Sequence, residues 1–241
     1  MQRISGGSLR GRVLRPLPAS RGLRPTGARV REAIFDRLQH EILGARVLDL
    51  FAGSGALAIE ALSRGAERAA LIEREPAVAR HLQRQIRELA LGDRAHVWTG
   101  DAAVFLRRPP APEFAGPYDI VFLDPPYDDT PRALAAILPA LVRGGWLAES
   151  AAVVCEYERA GGGRLPAWPA EVVLETSRAY GQTAVDFLRF EATSSRPSGP
   201  EHSSQPMGPE TTTSRPTGPD TTSPPRPFGP ELASAPRGPE H

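Results

Sequence analysis

The 241-residue sequence contains no lysine and no asparagine, so all 29 of its basic side chains are arginines. Both absences read as the codon bias of a GC-rich genome, and no mechanism rests on arginine standing where lysine is usual. There is one cysteine, Cys155, set in the apolar run Ala151-Ala152-Val153-Val154-Cys155. That excludes a disulfide framework and a cysteine metal site, and it fits a small buried thiol in a reducing compartment. The histidines His40, His81, His96, His202 and His241 show no metal-like or triad-like grouping, so no metal is expected. No stretch of about 18 apolar residues occurs, and Met1 to Leu9 lacks an apolar signal core. A cytoplasmic protein without a membrane span is the expectation, with a monomer as the default. Acidic residues are missing from the first 31 positions, which hold eight arginines. A field of that sign attracts polyanions, and nucleic-acid contact is favoured over a merely solvated basic end.

Large apolar residues thin out after Thr193, where Ser, Thr, Pro and Gly take over. The unit Arg196-Pro197-Ser198-Gly199-Pro200-Glu201 recurs imperfectly at Gln205, Arg215, Arg226 and Ala235. Such a segment buries too little apolar area to offset its ordering entropy, so residues 193–241 read as a disordered tail. Upstream, short apolar runs alternate with runs of helical spacing. Arg46 to Leu50, Ala69 to Glu73, Ala95 to Trp98, Asp119 to Leu123, Ala152 to Tyr157, Val172 to Thr176 and Val185 to Phe190 read as strands. Ala56 to Arg64, Pro76 to Ala90, Ala102 to Arg107 and Arg132 to Val142 read as the helices between the first five. Alternation of this kind implies an α/β fold with a mostly parallel seven-stranded sheet covered on both faces. The last two strands, joined tightly through Gly181, should pair antiparallel at one edge. Residues 46–192 form this domain. Residues 1–45 precede it as a basic extension, with a hairpin over Arg3 to Leu14 turning at Gly6-Gly7 and an amphipathic helix over Arg29 to Leu43.

Asp49-Leu50-Phe51-Ala52-Gly53-Ser54-Gly55 ends the first strand and opens a helix, where glycines let the backbone approach a ligand. Gly53-x-Gly55-x-x-Ala58 with Glu73 twenty residues on also satisfies the loose dinucleotide fingerprint, so the glycines alone do not separate NAD from S-adenosylmethionine. The acids separate them better. Asp49 would face the cationic amino-acid end of S-adenosylmethionine, whereas beside a pyrophosphate it would repel. Glu73 can accept from both ribose hydroxyls, and Asp101, followed by Ala102, from the adenine amine. Each acid taken alone could equally be a helix cap or a solvated loop residue.

Asp124-Pro125-Pro126-Tyr127 follows the fourth strand. Two prolines fix two φ angles and remove two backbone donors, which leaves the Asp124 carboxylate and the Pro125 carbonyl as acceptors on a stiff loop. A planar amine is a poor nucleophile because its lone pair is delocalised. Two acceptors on its N–H groups hold it where that lone pair can point at a methyl sulfonium, and Tyr127 can stack on its ring. In an isolated match Pro-Pro would merely end a strand.

On these residues the chain resembles the bacterial 16S ribosomal RNA guanine-N2 methyltransferases that modify guanosine 966 of the small subunit. The resemblance covers about Arg3 to Phe190. It is carried by Arg3-Ile4-Ser5-Gly6-Gly7 with Arg10-Gly11-Arg12, and by Leu23-Arg24-Pro25-Thr26 with Arg29-Val30-Arg31-Glu32-Ala33-Ile34-Phe35. Asp49 to Leu57, Glu60-Ala61-Leu62-Ser63-Arg64-Gly65 and Asp124 to Tyr127 complete it. It implies a Rossmann-like class I S-adenosylmethionine-dependent methyltransferase fold and methylation of a guanine N2 in 16S ribosomal RNA, on small subunits or their assembly intermediates. It also implies that Asp124, Pro125, Pro126 and Tyr127 hold the guanine, that Asp49, Phe51, Gly53, Gly55, Glu73, Asp101 and Ala102 bind the cofactor, and that Arg10, Arg12, Arg24, Arg29 and Arg31 grip RNA. Two positions depart from the family: Ala28 stands where an Asp is usual, and Asp36 where an Asn is usual. The first removes a helix cap that Thr26 could replace. Rival readings are the same chemistry on DNA adenine N6, another RNA guanine or a protein glutamine, an NAD-dependent oxidoreductase, and a non-catalytic RNA-binding protein. Glutamine enzymes usually carry Asn at the position of Asp124, DNA enzymes need a recognition region for which there is no room, and NAD chemistry leaves Asp124 to Tyr127 unexplained.

Overall fold

A computed structural model describes residues 2–17, 27–107, 111–126, 130–159 and 165–192. The expected tail from Thr193, and with it Arg24, Thr26 and Tyr127, lies outside the described residues. Seven strands, β1 (Arg46–Asp49), β2 (Arg68–Glu73), β3 (Ala95–Thr99), β4 (Tyr118–Leu123), β5 (Leu147–Glu158), β6 (Val172–Tyr180) and β7 (Thr183–Phe190), form one sheet. Their order is β3-β2-β1-β4-β5-β7-β6. The first five pair parallel, and β7 lies antiparallel between β5 and β6. Gly181, at φ +63, makes the two-residue turn that returns β6 into β7, a backbone region where glycine costs least.

The sheet is covered on both faces, and the strands alternate accordingly. Val47, Leu71, Ile120, Phe122 and Val154 face a core shared with α1 (Ala28–Arg37), α2 (Ala56–Ser63) and α3 (Pro76–Glu88). Leu48, Ile72, Val121, Leu123 and Val153 face the other core, filled by α4 (Ala102–Leu106), α5 (Thr130–Arg143), Phe114 and Trp146. Ile4, Leu14, Val30, Ile34 and Phe35 belong to the first core, so the N-terminal extension packs on the domain that follows it.

Three local expectations change. The helix α1 stops at Arg37 instead of Leu43: Glu41 N and Ile42 N both turn back to Leu38 O, which buries Ile42 and leaves Leu43 82 % exposed. Its N-cap is Gly27, with no side-chain cap among the described residues, and the replacement cap expected at Thr26 lies outside them. The hairpin's return is wider than a Gly6-Gly7 turn: Ile4 N donates to Arg12 O, Gly11 N to Ile4 O, and both Gly7 and Gly11 have positive φ.

The wide turn is bound to α2 as well as to itself. The Glu60 carboxylate, fully buried in α2, accepts from Ser5 N (2.9 Å), Ser5 Oγ (2.8 Å), Gly6 N (2.8 Å) and Arg64 Nε (2.9 Å), and faces Arg31 Nε at 3.6 Å. Ser63 Oγ donates to Gly6 O (2.5 Å) and accepts from Leu9 N (2.9 Å). At Gly7 a Cβ would sit 1.8 Å from Ser63 O, so only glycine permits this approach. Burial alone would raise the Glu60 pKa, but the Ser5 N–H and Arg64 outweigh it and hold it below the usual carboxylate range. Glu60→Ala leaves Arg31 buried without its counter-charge. It should cost about 3–5 kcal/mol in denaturant unfolding, with Glu60→Gln intermediate. A loss under about 1 kcal/mol would show that the network does not hold the hairpin.

Candidate active site

The strand order reverses between β1 and β4, where the crevice of an open parallel sheet takes its ligand. Asp49 ends β1 in register with Phe122 of β4, so Asp49 and Asp124 stand at the carboxyl ends of adjacent strands. Asp49 is 1 % exposed. Burial, then the charge of Asp124, push its pKa up to about 7, with Glu73 adding to the rise and the N–H groups of Phe51 and Ala58 opposing it. A carboxylate held in this way favours a cationic partner.

The loop after Asp49 is pinned from behind. Ala52 N donates to Ile72 O (2.9 Å), Gly55 N to Ala52 O (2.6 Å), and Gly53 N to Glu73 Oε2 (2.9 Å). Gly53 and Gly55 have φ of +51 and +74. A Cβ on Gly53 would meet nothing closer than Phe51 O at 3.9 Å, which leaves that backbone open to a ligand, whereas one on Gly55 would lie 2.5 Å from Leu82 Cδ1. The two glycines thus serve different ends: access at Gly53, packing at Gly55. Gly55 is also the N-cap of α2, with no side-chain cap. Phe51 is half-buried beside the loop.

The other two acids have structural work as well. Glu73 Oε1 accepts from Glu75 N (2.7 Å) while Oε2 holds Gly53, so each oxygen already carries one backbone N–H and keeps a second lone pair. Asp101 is exposed and caps α4, with Oδ1 accepting from Ala103 N (3.0 Å) and Val104 N (3.1 Å). Its neighbour Ala102 is buried. Pro125 is buried and Pro126 exposed, and the Pro126 carbonyl accepts from Thr130 Oγ1 (3.2 Å) at the first residue of α5. Asp124 is half-buried. Burial, with Asp186 and Asp124 nearby, drives the Cys155 thiol well up, and the small buried thiol read from the sequence is found buried.

Among the expected RNA contacts, Arg10, Arg12 and Arg29 are exposed. Arg31, unlike those three, is not exposed. It is 2 % exposed, set against Glu60, and donates from Nη2 to Arg3 O (2.7 Å), because its position on α1 faces the core. One residue went unread in the sequence. Gln85, buried in α3, donates to Ser54 O (2.9 Å) in the glycine loop and accepts from Arg15 N (2.7 Å) after the hairpin. Its only signal is a polar side chain on the stripe of Val78, Leu82 and Ile86.

No helix among the described residues is long and apolar enough to cross a membrane. Residues 2–189 match the family model described as Conserved hypothetical protein 95. The chain is 42 % identical over 190 residues to ribosomal RNA small subunit methyltransferase D of Escherichia coli, covering 79 % of this chain and 90 % of that one. The solved structure of Escherichia coli yhhF superposes with a TM-score of 0.68 at 40 % identity, covering 78 % of this chain and 97 % of that one. An RNA methyltransferase from Salinibacter ruber, solved with S-adenosyl-L-homocysteine, shares the fold at 17 % identity and a TM-score of 0.50, covering 70 % of this chain and 94 % of that one. The chain belongs to the Conserved hypothetical protein 95 family, that of the ribosomal RNA small subunit methyltransferases D.

Proposed function

We propose that this protein transfers one methyl group from S-adenosylmethionine to the exocyclic N2 amine of a guanine in 16S ribosomal RNA, in the small subunit or its assembly intermediates. The observation that carries the reading is the pair of carboxylates at the β1–β4 switch point, Asp49 buried behind an open Gly53 and Asp124 one strand away. Asp49 would hold the amino-acid ammonium, the loop at Gly53 and Gly55 would seat the body of the cofactor, and the spare lone pairs of Glu73 and Asp101 would take ribose and adenine donors. Bound there, S-adenosylmethionine supplies a methyl group on a positively charged sulfur.

Asp124 and the Pro125 carbonyl accept the two N–H groups of the amine and turn its lone pair toward that methyl, while Tyr127 stacks on the guanine. The cofactor's sulfonium would supply the methyl group to the amine nitrogen, and the Asp124 carboxylate would accept the N–H proton that the amine gives up. Arg10, Arg12, Arg24 and Arg29 grip the RNA backbone, whose phosphates reward cations in number.

Incubation with labelled S-adenosylmethionine and small subunits lacking the modification should place the label on a single guanine. Label in DNA or protein, or in no acceptor, would sink the reading. Asp124→Ala should reduce transfer by at least about a thousandfold while calorimetric cofactor binding stays within about threefold. Loss of both would mean that the two aspartates do not divide the work this way.

Asp49 adds a pH signature. Its pKa of about 7 in the free protein must fall when an ammonium docks, so binding releases a proton below that pH. Cofactor affinity should rise roughly tenfold per unit between about pH 5.5 and 7 and then level off. Asp49→Asn should bind more weakly and without that slope. The sign for folding is opposite: a folded pKa of about 7 against the ordinary carboxylate value of 3.8 means that the ligand-free protein loses stability as pH rises from about 4 to 7. Asp49→Asn should therefore gain stability relative to the parent as pH goes from 4 to 7, measured by denaturant midpoints.

A further inference from the structure

We propose that the cleft between the N-terminal hairpin and the start of α1 is a phosphate subsite, seating one backbone phosphate of the RNA strand on Arg10, Gln2 and Arg31. The proposal rests on the RNA substrate put forward above and assigns a definite seat to what composition shows only as diffuse basicity. The cleft has a volume of about 480 Å³, and its walls include Gln2, Arg3, Ser5, Arg10, Arg31 and Glu32. That is room for a nucleotide.

Two donors on these walls have no acceptor among the described residues: Arg31 Nη1 and Gln2 Nε2, both buried. Buried donors are almost always paired, and two orphans bordering one cleft ask for a shared acceptor. Arg31 is held by the surrounding network, Nε against Glu60 and Nη2 on Arg3 O, so its Nη1 stays in place by that geometry. Its charge is partly offset by Glu60, which Arg64 shares, and what it offers the cleft is a fixed donor. The charge comes from Arg10, which is exposed and whose guanidinium has no partner among the described residues. Arg3 Nη1 is engaged by Gly11 O (2.6 Å), which shapes the turn beneath Arg10.

The helix end adds a third feature. Gly27 and Ala28 line the same cleft, and α1, ten residues long, starts there with no side-chain cap among the described residues. Its first N–H groups and the positive end of its dipole favour an anion. Glu32 is the sole acid among the lining residues. An acceptor with several oxygens and a full negative charge satisfies the donors, the helix end and Arg10 together, and a phosphodiester is that acceptor in RNA.

The test uses the full chain and small subunits lacking the modification, with binding measured by filter retention across a salt series. Arg10→Gln should weaken binding about five- to tenfold at low salt and make log K against log salt shallower by roughly 0.7–0.9. Gln2→Met keeps the shape and removes an uncharged donor. It should weaken binding about three- to fivefold with the salt slope unchanged, while the thermal midpoint holds or rises because an unsatisfied buried donor is gone. Arg143→Gln removes the same charge from the far end of α5 and should bind like the parent. Parental binding by both Arg10→Gln and Gln2→Met, in a protein that still methylates the subunit, overturns the cleft alone. Equal weakening by Arg143→Gln and Arg10→Gln overturns it in favour of bulk charge. A parent that neither binds nor methylates small subunits overturns the RNA reading and the cleft with it.

Discussion

The structure depends on one buried carboxylate. Glu60 takes two backbone N–H groups and a hydroxyl from the hairpin, an arginine from its own helix, and a second arginine from α1. Without it, the hairpin would be a ribbon of about a dozen residues with one bridge, Arg3 to Val13, and isolated two-stranded hairpins are marginal in water. With it, residues far apart in the chain become one rigid block. A buried ion pair of this kind is weak support for stability in its own right, since desolvation takes back most of the Coulomb gain. What it provides is position: five donors converging on two oxygens admit few other placements of the hairpin.

The same block explains why two sequence motifs occur together. Ser5-Gly6-Gly7 and Glu60-Ala61-Leu62-Ser63-Arg64 are separated by more than fifty positions, yet each residue of the first is bonded to, or needs the space beside, a residue of the second. Read as a string, the first motif is a glycine turn and the second a helix end. Read as a contact, they are the two halves of a joint. Arg31 belongs to the same joint, which is why an arginine in the most basic part of the chain is withdrawn from the surface.

Much of the fold was legible because the signals were periodic. Strand faces alternate as Val47 and Leu48 do, into opposite cores, and buried parallel strands read as short apolar runs. Edge positions were less legible: β6 runs to Tyr180, beyond the apolar Val172 to Thr176, because an edge strand with Glu175, Ser177 and Arg178 carries no apolar run to mark it. At the site, the positions of Asp49, Gly53, Glu73 and Asp124 followed from strand ends, which a topology rule supplies. The secondary duties of Glu73 and Asp101, and the whole role of Gln85, did not. They depend on which backbone N–H lies nearest in space, and a sequence holds that information only once the fold is known.

Helix α2 links the glycine loop to the hairpin. Its N-cap, Gly55, closes the glycine loop, and its last two turns carry Glu60 and Ser63, which hold the hairpin. Eight residues at about 1.5 Å each put roughly 12 Å between the two ends. Gln85 makes a second tie between the same two regions, from Ser54 in the loop to the backbone at Arg15. The proposed cofactor seat and the proposed RNA grip are therefore mounted on one short rigid element and braced by another. In the proposed site Asp124 and Pro125 would select only for a planar amine, and nothing in those acceptors would distinguish one base from another. In a protein built this way, choice of substrate falls to whatever the hairpin and α1 hold at a fixed distance from the methyl donor. That division fits a chain whose first 31 positions hold eight arginines and no acid, while eight of its eleven expected cofactor and substrate residues are acidic, proline or glycine.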